Sequence, residues 1–152
     1  MSARERLVEA ARGGRTDELA AAVSADRRTL RHLVALTYRP EPEIRAAAAR
    51  GIALAGRHHP KLVQEVARRL IWAMNDESGT HAVTAPEVLR AIAEESPELL
   101  LPFVPSLLAL TEDPGLREPL VDVVRTVARR DPKAAVRGIA RAITSCERKG
   151  QS

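Results

Sequence analysis

Apolar residues return every three or four positions along the chain and never alternate over the length of a strand, the pattern of amphipathic helices packed by one face. Ser2 and Glu5 fit a capping box ahead of Leu7, Ala10 and Ala11, and the Gly13-Gly14 pair closes that stripe, so the spacing predicts a helix over 2–12. Thr16 opens a second short helix. Asp26 is placed to cap a third, whose Leu30, Leu33, Val34 and Leu36 share a side, and which stops near Tyr38 before Pro40. Pro42 and Glu43 open a fourth that runs through alanines to Gly56, with proline at its start and glycine at its end. Its small residues allow neighbouring helices to come close.

Pro60 opens a fifth helix to Asn75, with Leu62, Val63, Val66, Leu70, Ile71 and Met74 on one side and Arg68 and Arg69 away from it. A polar stretch, Asn75 to His81, interrupts. Thr84 is then placed to cap, and Pro86 and Glu87 to begin, a helix carrying Val88, Leu89, Ile92 and Ala93. Ser96-Pro97-Glu98 starts a helix to Leu110, in which Pro102 and Pro105 predict a kink or a break. Pro114 opens one through Arg130, and Asp131 caps a last one with Val136, Ile139, Ala140 and Ile143 on one face.

Helices joined by short proline-marked turns imply antiparallel hairpins, and stacked hairpins bury a continuous core. The fold class expected is all-α: a short right-handed α-solenoid of about eight helices. Pro42-Glu-Ile-Arg45 and Pro114-Gly-Leu-Arg117 match as openings of a repeated helix, with Pro86-Glu-Val-Leu between them at irregular intervals. The 152 residues suit one domain, 1–150, because single cores commonly hold about 100–200 residues. Only Tyr38, Trp72 and Phe103 are aromatic, which argues against a β-sandwich or barrel and leaves the core to Leu, Val, Ile and Ala.

The N-terminus lacks the apolar stretch of a secretory signal, and no apolar run reaches a membrane span, so a cytoplasmic protein is expected. Cys146 stands alone, so it makes no internal disulfide or cysteine-rich zinc site and reads as a small helical hydrophobe. Net charge is +4, but its distribution says more than its total. Residues 1–40 hold eight arginines against five acids, residues 41–74 six basic against three acidic, and residues 115–149 nine against four. Residues 75–114 reverse this, with Arg90 alone against eight acids.

The run Arg39-Pro-Glu-Pro-Glu-Ile-Arg-Ala-Ala-Ala-Ala-Arg-Gly-Ile-Ala-Leu-Ala-Gly56 resembles the second helix of a HEAT repeat, an armadillo-type unit. Arg68-Arg-Leu-Ile-Trp-Ala-Met-Asn-Asp-Glu-Ser-Gly79, with Ala85-Pro86-Glu87, is similar to a small group of bacterial and archaeal HEAT-like proteins that carry an Asn-Asp-Glu-Ser-Gly loop before an Ala-Pro-Glu helix start. Their loop continues with Gly and Trp, where this chain has Thr80, His81, Ala82 and Val83. The resemblance spans about residues 39–97 and implies a fold rather than an activity.

Three sets of residues are candidates for function. Asn75, Asp76, Glu77, Ser78 and His81 place carboxylates, a hydroxyl and an imidazole on one loop, chemistry suited to helix capping, to partner contact, or to cation binding and acid–base work. Trp72 just before it and Glu87 just after it complete a candidate contact surface, with Trp72 expected to be partly buried. Arg125, Arg129, Lys133, Arg137 and Arg141, with Arg148, form a basic ridge able to meet phosphates or simply to face solvent. His58, His59 and His32 are expected in turns or at the surface.

These features favour a monomeric protein-binding adaptor or scaffold that uses no cofactor or metal, with another protein as its partner. A nucleic-acid-binding or DNA-repair-type HEAT protein using the C-terminal arginines is the alternative, and a metal-dependent enzyme on Asp76, Glu77 and His81 the third. An enzyme is the less favoured class. Register makes its own demands: Ile44→Asp is expected to destabilise, and Arg57→Asp to do little.

Overall fold

The computed structural model describes residues 1–76 and 84–131, with Arg148. These residues form α1 (Ala3–Arg12), α2 (Thr16–Ala25), α3 (Thr29–Leu36), α4 (Pro42–Ala55), α5 (Pro60–Asn75), α6 (Ala85–Glu95), α7 (Val104–Leu110) and α8 (Pro114–Arg130). Two 3₁₀ turns, Pro97–Leu99 and Leu101–Phe103, precede α7. The described chain is all-α. The helix expected after Asp131 lies outside the described residues, as does Cys146.

Each even-numbered helix packs on the odd-numbered one before it, and the even helices also meet one another: α2 on α4, α4 on α6, α6 on α8. The hub is α4, which touches α1, α2, α3, α5 and α6. Its alanines make that crowding possible, because a thin helix lets five neighbours approach a single axis. Ile44, Ala47, Ala48, Ala49, Ile52 and Ala53 are all buried, and within the helix only Pro42, Glu43, Ala46 and Arg50 are exposed.

Gly51 shows how tight the contact is. A Cβ built there would stand 2.9 Å from the Cβ of Leu19, itself wholly buried on α2. Gly51→Leu therefore has to push α2 off α4. Overpacking of this kind costs about 1–3 kcal/mol, more than the roughly 1 kcal/mol of helix propensity that replacing a glycine returns. The expected result is a lower midpoint of chemical denaturation, and an unchanged or raised midpoint would refute the close approach. Gly56 works similarly, with a built Cβ 3.2 Å from Leu99 Cδ1. Its φ is −63°, so packing rather than a left-handed cap explains the glycine that ends α4.

The matching Pro-x-x-Arg openings of α4 and α8 acquire a physical reason. Arg45 Nη1 donates to the carbonyls of Arg39 and Pro40 at 3.0 and 2.8 Å, and Arg117 Nε donates to the carbonyl of Thr111 at 2.9 Å. In both corners a buried threonine, Thr37 or Thr111, turns its hydroxyl onto the carbonyl three residues earlier. The α3–α4 and α7–α8 corners thus satisfy their turn carbonyls by the same two devices.

Local chemistry departs from the sequence expectation at two points. Asp26 accepts from the Arg28 N–H instead of capping a helix, so α3 begins only at Thr29. Thr84 holds the cap position of α6 without a side-chain bond. The break expected at Pro102 and Pro105 is present: the stretch divides into two 3₁₀ turns and the short α7, since each proline lacks the N–H that a continuous helix needs there.

Candidate functional site

On α5, Val63, Ala67, Leu70, Ile71 and Met74 face the core. At roughly 100° per residue, Trp72 falls opposite them, on the side of Lys61, Glu65 and Arg68. Its exposure is 76%, which corrects the expected partial burial: a residue two positions from Leu70 turns away from the core rather than along its border. The neighbouring arginines are occupied elsewhere. Arg68 and Arg69 both pair with Glu65, and the Arg68 guanidinium sits over the Phe103 ring, 5.6 Å from its centre.

Asn75 bends back to donate to the Ile71 carbonyl at 3.2 Å, and Asp76 follows at the helix end with its N–H bonded to Ala73. Glu77, Ser78 and His81 lie outside the described residues. Glu87 is drawn toward α4, with its carboxylate 3.6 Å from Arg45 Nε. The described candidates therefore divide into two settings: Trp72, Asn75 and Asp76 on α5, and Glu87 at the α4–α6 contact.

Glu87 belongs to a wider pattern. Arg50 and Arg57 both reach Glu95, Arg130 lies 2.6 Å from Glu94, and Arg90 lies 3.1 Å from Asp122. Glu87, Glu94 and Glu95 of the acidic middle are thus matched by arginines of the helices on either side, and its one arginine, Arg90, by Asp122 of α8. Charge segregation along the chain becomes charge pairing between helices. The pairing is not legible locally in the sequence because the partners lie more than thirty positions apart, as with Arg57 and Glu95.

This changes the expectation for Arg57. The Glu95 side chain is only 12% exposed, so Arg57→Asp would set a second carboxylate against one already largely removed from water. Arg57 itself is 59% exposed, which limits the loss to about 1 kcal/mol. The melting temperature should fall, and added salt should narrow the gap to wild type by screening the repulsion. Equal melting temperatures at low salt would contradict this role for Arg57.

Arg125 and Arg129 are exposed one turn apart on α8, and Arg129 also reaches the Thr126 hydroxyl at 3.3 Å. Lys133, Arg137 and Arg141, the rest of the expected ridge, lie outside the described residues. His59 stands just before α5 and shares a 3.1 Å hydrogen bond with Ser24 of α2, which gives one of the turn histidines a structural role. Arg39 hydrogen-bonds Glu41 and holds its carboxyl below the ordinary value of 4.5. Among the described residues, no three His, Cys, Asp or Glu side chains group as they would around a metal ion.

The surface also carries grooves that the sequence reading did not anticipate. One of about 560 Å³ lies between α6 and α8, beside Glu87, Arg90, Asp113 and Asp122. A second, of about 450 Å³, lies between α1 and α3, and a third, of about 670 Å³, between α3 and α5. The third carries Leu62 and Val66, one turn apart on α5 and only half-buried. No described helix is long and apolar enough to cross a membrane. No protein-family model, curated protein or solved structure matches the chain.

Proposed function

We propose that this chain is a HEAT-like α-solenoid acting in the cytoplasm as a protein-binding adaptor or scaffold, with the outer side of α5 and the loop after it as its contact surface. The architectural part of this reading is supported by the hairpin pairing of successive helices, the continuous contacts among α2, α4, α6 and α8, and the repeated arginine–threonine corners. The functional part is carried by one observation, the chain's single tryptophan standing 76% exposed on a sixteen-residue helix. A tryptophan offers about 150–250 Å² of surface to bury, and at about 25 cal/mol per Å² this leaves several kcal/mol unused until a partner covers it. Tryptophan and arginine anchors of this kind dominate protein interfaces.

The exposed pair Arg125 and Arg129 favours the alternative, nucleic-acid binding. The metal-dependent enzyme rests on Asp76, Glu77 and His81, of which only Asp76 is described. Affinity capture from the native host, with and without nuclease, separates the first two. The adaptor reading expects one protein recovered in near-stoichiometric amount after nuclease treatment. Recovery of nucleic acid alone, with steeply salt-dependent binding to duplex DNA, would overturn it.

A further inference from the structure

Leu30 and Val34 from the α3 side and Leu62, Val66 and Leu70 from α5 form the apolar floor of the third groove. Val34, Leu62 and Val66 are left half-buried, so the two helices do not close over them. Lining positions run from Leu62 to Ala73 along α5, about 16 Å or three helical turns at 1.5 Å per residue. Around this floor stand Arg27, Arg28, Arg31 and Arg69, against one acid, Glu65. Arg69 is already paired with Glu65 and Arg28 with Asp26, but Arg27 and Arg31 form no ion pair among the described residues. Across α3, the neighbouring groove shares Arg31 and adds Arg4 and His32, while its Arg39 is paired with Glu41. Positive charge left over from the helix-to-helix pairing therefore collects on the α1–α3–α5 side.

We infer that the α3–α5 groove receives an acidic amphipathic helix of a partner protein. An aliphatic trough three turns long matches side chains at helical spacing, and the unpaired arginines on its rim match carboxylates on the shoulders of such a helix. A second copy of the chain fits less well, because Glu87, Glu94 and Glu95 of its acidic stretch are already held by arginines. The chain's own residues 132–152 carry five basic groups against one acid and would be repelled. Nucleic acid would meet the arginines but leave the aliphatic floor unused, with only Tyr38 among the lining residues to stack a base. The inference rests on the adaptor reading and deepens it by naming the class of partner.

The test uses the full chain and two synthetic helical peptides, each with the same leucine stripe at i, i+3, i+4 and i+7. One carries glutamates at the remaining positions and the other lysines, and neither contains an aromatic residue. Binding is followed by the fluorescence of Trp72, the chain's single tryptophan, whose neighbour Ala73 lines the groove. The acidic peptide should bind at least tenfold more tightly than the basic one, and added salt should weaken it. The doubly reversed variant Arg27→Glu/Arg31→Glu, altered only at exposed positions, should lose at least tenfold for the acidic peptide and gain for the basic one. Val66→Asp should also lose at least tenfold, with circular dichroism confirming that it folds.

Equal affinity for both peptides, or acidic-peptide binding untouched by the arginine reversals, would overturn the proposal. Duplex DNA binding lost in the arginine variant but retained in Val66→Asp would overturn it in favour of a phosphate-binding surface. Failure here remains distinct from failure of the adaptor reading. A protein partner from the capture experiment that binds both groove variants normally would remove the groove and leave the adaptor, whereas absence of any protein partner would remove the adaptor itself.

Discussion

Ile44→Asp should lower stability by several kcal/mol, enough to unfold much of a domain whose total is about 5–15 kcal/mol. Ile44 is wholly buried at the start of α4, the helix that five others touch. An aspartate there would either remain charged with no partner or take up a proton at a cost set by burial. Nearby Arg45 offers no rescue, because its guanidinium is committed to the Arg39 and Pro40 carbonyls and lies near Glu87. Ala46→Asp is the matched control, placing the same charge two residues on at an exposed position of the same helix, and should stay within about 0.5 kcal/mol of wild type. The difference between the two denaturation midpoints reports the register of α4 directly. Coincident midpoints would mean that the buried face is misassigned.

What the sequence revealed follows from the range of the forces involved. Periodicity, capping residues and prolines act within a few positions, so Pro42, Pro60 and Pro114 mark the first residues of α4, α5 and α8 correctly. The break expected from Pro102 and Pro105 is present for the same reason. Caps were less secure: Asp26 had a nearer N–H to bind, and the backbone at Arg28 was left to start α3 without a side-chain cap. Pro119 lies inside α8 without ending it, and the apolar stripe continues on both sides of it.

Electrostatics was harder to read because its partners are distant in sequence. Nothing local to Glu95 announces Arg50 and Arg57, and Glu87 and Glu94 join their helices through equally distant arginines. The α3–α5 groove was invisible for a related reason. Leu62 and Val66 carry the periodicity of a core face, and only the spacing of two helices leaves them half-open. The position of Trp72 near the end of α5 is legible in the sequence, but the direction of its side chain depends on the rotation of the helix. Counting about 100° per residue from Leu70 settles it.

Trp72→Ala is the second large expected effect, and it separates a binding role from a structural one. The side chain is exposed on a helix whose core contacts come from other residues, so its loss should leave the melting temperature nearly unchanged. Truncating a tryptophan anchor at an interface costs about 2 kcal/mol or more, a factor of roughly 30 in affinity. The deciding measurement is the calorimetric affinity of the captured protein partner for wild type and for Trp72→Ala, made on protein of verified melting temperature. A loss of about thirtyfold with stability intact is the expected result; equal affinity for the two would contradict the assignment of α5's outer side as the contact surface.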